Sequence, residues 1–121
     1  MEKFEKIFED YGGDYHATMA RFMGKGSLYM KIFGMLFRDD NLELLGKAVA
    51  EGDLDAAFMA AHTLKGVSGN LGLTPFYDSV CRMVEPLRKR EERADYQEMY
   101  QEVLDEFKRV ESLWSELQAI M

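Results

Sequence analysis

His62, Lys65, Gly66 and Gly69 fall in one helix-compatible window, Ala60 to Gly72, and their types and spacing suit the carriage of a phosphoryl group. At about 100° per residue, Ala57, Ala60, Leu64, Val67, Ser68 and Leu71 share roughly one third of a helix circumference, and His62 points away from them. The imidazole is therefore expected to face solvent. Lys65 and Gly66 lie one turn beyond it and Gly69 two turns beyond it, so an ammonium and two positions without side chains flank the ring.

Each residue type has a separable chemical reason. An imidazole is largely unprotonated near pH 7, so its free nitrogen can attack phosphorus without a separate strong base. Phosphoryl transfer then depends on in-line positioning and charge compensation, and a lysine supplies charge as a mobile point cation. Glycine inside an exposed helix costs about 1 kcal/mol relative to alanine, so two beside one histidine call for a reason. Clearance for a second protein that brings a donor or acceptor carboxylate is the simplest. By itself a helical histidine is usually a surface residue without chemistry, and His16, which has no Lys-Gly pair behind it, is read that way.

The run His62-x-Leu64-Lys65-Gly66-x-x-x-x-Leu71-Gly72 resembles the signature of histidine-containing phosphotransfer (HPt) domains, with Gly52-Asp53 before it and Gly72-Leu73-Thr74-Pro75 after it extending the likeness. The resemblance implies a helical bundle whose exposed histidine accepts a phosphoryl group from an aspartate of one response-regulator receiver domain and passes it to another. It further implies that Lys65 supports the phosphoryl group and that Gly66 leaves room for it. In one respect the chain departs from the pattern. Family members often bond the histidine or phosphate with a glutamine on the following helix, and no Gln occurs between Gly72 and Tyr96. Arg82, Glu85 and water are the alternatives.

A chain of 121 residues with 47% hydrophobic composition suits one domain, 1–121, with a true core. No apolar run approaches membrane-span length and the N-terminal residues lack a signal-peptide pattern, so a cytoplasmic protein with no membrane partner is expected. The net charge of −7 argues against nucleic acid as a partner. Cys81 is the single cysteine and reads as a small buried hydrophobe amid Val80 and Val84. With two histidines, and no His or Cys one turn from His62, no metal site is expected. No cofactor is expected either. The absence of a nucleotide-binding loop implies a phosphocarrier without ATP-dependent kinase activity of its own.

Positioning these residues is the task of an all-α chain. Its apolar spacing and punctuation predict helices near 2–11, 15–23, 28–38, 41–51, 54–71, 74–91 and 96 to the C-terminus. Asp14, Ser27, Asp40, Asp53, Thr74 and Asp95 are the expected N-caps, with capping boxes from Asp40 to Glu43 and from Asp95 to Glu98. Gly72 is expected to end the motif helix in the left-handed conformation, and Pro86 to kink or interrupt the sixth helix. The stripe Tyr96, Tyr100, Val103, Phe107, Val110, Trp114, Leu117, Met121 fits one wall of a bundle. The predicted architecture is an antiparallel four-helix bundle with additional short N-terminal helices packed on or over one end.

Phe58 and Met59, one turn before His62, suggest an apolar landing site for a receiver. The helix 28–38 is apolar around most of its circumference, and Phe33 and Phe37 can either join that docking surface or be covered by the N-terminal helices. Three functions share these features. The first is a monomeric phosphorelay intermediate meeting receiver domains and a hybrid histidine kinase. The second is a phosphoacceptor domain cut from a larger chemotaxis-type or hybrid kinase. The third is a helical adaptor without phosphate, dimerising through the final stripe.

Overall fold

The computed structural model describes residues 2–121, all of whose regular structure is helical. The elements are α1 (Glu2–Tyr11), α2 (Tyr15–Arg21), α3 (Gly26–Met35), a 3-10 turn (Leu36–Arg38), α4 (Asn41–Glu51), α5 (Leu54–Asn70), α6 (Thr74–Arg88) and α7 (Tyr96–Ala119). The last four close a ring in which α5 packs between α4 and α6, and α7 contacts both α4 and α6. Cross-helix pairs show the antiparallel sense of α5 and α6. Gly69 faces Tyr77 near one end, and Asp55 bonds Arg90 just past the other.

The stripe on α7 is spent inside the molecule. Tyr96, Val103, Val110 and Leu117 are buried, with Leu113 beside them, whereas Met121 is exposed. Bringing α4 against α7 requires a residue without a side chain at Gly46, since a Cβ there would overlap the Tyr100 hydroxyl, which donates to Leu42 O at 2.8 Å.

Helices α1 to α3 add an aromatic layer around Tyr29. Its ring meets Phe4, Phe8, Phe22 and Phe33 edge-on at centroid distances of 6.0, 5.9, 5.1 and 5.6 Å. Edge-to-face pairs of this kind contribute about 0.5–1.5 kcal/mol each beyond their buried area. The Tyr29 hydroxyl donates to Leu71 O at 2.7 Å, tying this layer to the end of α5.

Several expected boundaries shift for identifiable reasons. Helix α3 begins at Gly26 with Lys25 as N-cap, so Ser27 lies inside it and caps nothing. Asp40 and Asp95 occupy N-cap positions without side-chain cap bonds. At the first, the neighbouring Asp39 carboxylate accepts from Asn41 N at 2.7 Å. At the second, the Asp95 carboxylate is held by Arg93 Nε and Nη2 at 2.9 and 2.8 Å. Leu73, not Thr74, is the N-cap of α6. Pro86 does not interrupt α6; it sits in the last turn, and the helix closes two residues later at Arg88 rather than near 91.

Candidate functional site

The conformation of Gly52-Asp53 sets the start of α5. Gly52 ends α4 in the left-handed conformation (φ 70°), and the Asp53 carboxylate then accepts from Ala56 N at 3.0 Å. With the start fixed, the helical period decides which side chains enter the core. Ala57, Ala60, Ala61, Leu64 and Ser68 are buried, and these mostly small residues let α4 and α6 approach closely. The Ser68 hydroxyl is satisfied within the helix, donating to Leu64 O at 2.7 Å. At the other end Gly72 adopts φ 69°, as expected, with Thr18 packed so closely against it that any side chain would collide.

His62 projects from the opposite face and is exposed. Among the described residues no side chain or backbone group hydrogen-bonds its ring, so neither nitrogen is engaged. Lys65 follows on the same side, half-buried, and makes no ion pair among the described residues. A Cβ placed on Gly66 meets nothing within 4 Å, so that position is open space beside the imidazole. Gly69 differs. A Cβ there would stand 3.0 Å from Tyr77 Cε1 on α6, so its bareness serves helix packing as much as access.

The expected docking residues separate into two groups. Met59 is 68% exposed, and with Leu44, Lys47, Glu51 and Thr63 it borders a groove of about 490 Å³ between α4 and α5. Phe33 is fully buried and cannot touch a partner. Phe37 is half-buried and turned inward, with its ring 5.8 Å from Phe107 and 5.3 Å from Trp114. Both belong to the core because α7 supplies Trp114 as a cover for the apolar excess of α3, a long-range fact that local periodicity does not contain. Phe58 is half-buried and stacks on His62 itself, with ring centroids 5.5 Å apart and planes 26° from parallel.

Neither Arg82 nor Glu85 hydrogen-bonds the His62 ring. Arg82 Nε reaches Glu102 on α7 at 3.5 Å, and Glu85 pairs with Arg88 at 3.5 Å. Cys81 is only partly buried rather than enclosed in the core. His16 lies at the surface, edge-on to Tyr15 and 3.5 Å from Glu5 Oε2, far in the chain from the Lys-Gly pair. Among the described residues no cluster of three or more His, Cys, Asp or Glu side chains could hold a metal ion, and no helix is long and apolar enough to cross a membrane.

Residues 37–119, which span α4 to α7 and the whole site, match the family model described as Hpt domain. No curated protein and no solved structure matches the chain.

Proposed function

The chain belongs to the Hpt domain family, and on that premise we propose that it is a cytoplasmic, monomeric phosphorelay intermediate that carries a phosphoryl group on His62 between the aspartates of two receiver domains. The observation that carries this reading is the exposed His62 ring, free of hydrogen bonds among the described residues, with Lys65 one turn on and open space at Gly66.

In the forward step the unprotonated ring nitrogen attacks phosphorus in line. The N–P bond forms as the bond from phosphorus to the aspartyl oxygen breaks, and the receiver's carboxylate leaves with the electron pair. The ring then carries N–P and N–H bonds and a positive charge beside the phosphoryl dianion. Lys65 lies where its ammonium can follow the phosphoryl oxygens, offsetting charge that grows on them in the transition state. Transfer to the second receiver reverses these bonds. Nothing in the step draws on ATP, which fits a phosphocarrier rather than a kinase.

The test uses purified receivers from the same genome, each phosphorylated on its aspartate and mixed with this protein. Label acquired by the protein is expected to be acid-labile and alkali-stable, and His62→Gln is expected to abolish it with helicity unchanged. Equal labelling of the variant would place the phosphate elsewhere, and no labelling from any receiver would reject the relay role.

A further inference from the structure

Phe58 lies one helical turn before His62 and stacks on the imidazole, with 5.5 Å between centroids and planes 26° from parallel. Its ring also has two cations over it: the guanidinium carbons of Arg90 and Arg88 are 4.7 and 5.3 Å from its centroid. Arg90 is itself fixed. Its Nε donates to Asp55 Oδ1 at 2.6 Å, and its Nη1 donates to Leu87 O at 2.9 Å and to Arg88 O at 3.2 Å.

The backbone beneath Arg90 supplies a second, independent observation. Glu91 N bonds Pro86 O at 3.0 Å and Arg90 N bonds Leu87 O at 2.9 Å, the paired bonds that close a helix with its next residue in the left-handed region. Glycine commonly fills that position, yet here it holds Arg90 at φ 53°. A bulky side chain is thus kept where it strains the backbone, and where it goes is onto Phe58.

We propose that Phe58 is a positioning residue for His62, clamped by Arg90 and Arg88, and that this stack does the orienting work, since no side chain of α6 hydrogen-bonds the imidazole. A stacked contact restrains the torsions of an exposed imidazole without occupying either nitrogen, which keeps the nucleophile aligned and free. Cations favour the faces of an aromatic ring, so the two guanidinium groups hold Phe58 without competing for the nitrogens of His62. The inference rests on phosphoryl transfer at His62 for its kinetic consequence, but not for its structural one.

The experiment compares the full chain with Phe58→Leu, Phe58→Tyr and Arg90→Gly, after circular dichroism confirms helicity. In NMR spectra the His62 ring protons of the unaltered protein are expected upfield from the Phe58 ring current, to move to free-histidine positions in Phe58→Leu, and to stay upfield in Phe58→Tyr. With the receiver that reacts fastest in the panel above, the saturating transfer rate is expected to fall about tenfold in Phe58→Leu at unchanged half-saturating concentration. Phe58→Tyr should restore it. Arg90→Gly relieves the strained turn, so a purely structural role predicts an unimpaired protein, whereas positioning predicts a slower one. An unchanged rate in Phe58→Leu overturns the proposal, and so does a raised half-saturating concentration at unchanged rate, which would make Phe58 a docking contact. If no receiver transfers at all, the relay reading fails, and the NMR arm decides: His62 signals at free-histidine positions in the unaltered protein overturn the stack.

Discussion

A methyl group on Gly69 would stand 3.0 Å from Tyr77 Cε1, whereas one on Gly66 would meet nothing within 4 Å. The two glycines of one motif therefore answer different demands, and alanine substitution separates them. Gly66→Ala should stabilise the protein by about 0.5–1 kcal/mol through helix propensity while slowing phosphoryl transfer, because the new methyl stands in the approach to His62. Gly69→Ala should gain less, since the Tyr77 ring must yield, and the full gain should return in a Tyr77→Ala background. Urea denaturation of the single and double variants measures both, alongside transfer rates.

Lys65 is expected to act on the transferred group and not on the fold. Lys65→Met should leave unfolding free energy within about 0.5 kcal/mol, as for a surface substitution without a partner. Its transfer rate should drop by at least about tenfold, because a cation placed against developing phosphoryl charge is removed. Lys65→Arg should recover only part of that rate, since the planar guanidinium cannot follow the moving group as an ammonium does. Single-turnover labelling of the three proteins reads the order directly.

Tyr29→Phe isolates one buried hydrogen bond. The lost hydroxyl leaves Leu71 O without its 2.7 Å donor at the end of the motif helix, and the expected destabilisation is about 1–2 kcal/mol. It should appear as a lower urea midpoint at constant denaturant slope. Hydrogen exchange should quicken most in the last turn of α5.

Alkaline pH should weaken the fold through the same residue. Burial pushes the Tyr29 and Tyr11 phenols above their ordinary value, so the native state keeps protons that the unfolded chain releases. Their contribution is whole below the unfolded phenol value of about 10 and is lost as pH rises past it, at up to about 1.4 kcal/mol per unit for each tyrosine. Urea titrations at stepped alkaline pH are expected to show the decline, and Tyr29→Phe should lessen its slope while leaving the Tyr11 share.

Local chemistry made the helices legible. Gly52 and Gly72 adopt the left-handed stops that their positions in the chain call for, and Asp14 and Asp53 cap as their side chains allow. His62, Lys65 and Gly66 lie on an open face because helical period alone separates them from the alanines of α5. Where reading failed, a neighbour intervened. Asp95 fits a capping box by spacing, but Arg93 takes its carboxylate first. Phe33 lies on a helix apolar on nearly all sides, and only the arrival of Trp114, 5.0 Å away, decides that it is covered. The cation over Phe58 was not legible either, because Arg90 is brought to its ring, 4.7 Å away, by the chain past α6.

The family match begins at Phe37, yet the far end of the motif helix is gripped from before that point. Arg21 Nε and Nη2 donate to Asn70 O and Gly69 O, each at 3.1 Å, and Tyr29 holds Leu71 O. Trimming the protein to its recognisable segment would free all three carbonyls and strip Phe33 from the Trp114 ring, 5.0 Å away. A minimal module cut at that border is expected to fray at its tail, so activity screens on such fragments would understate what the intact chain can do.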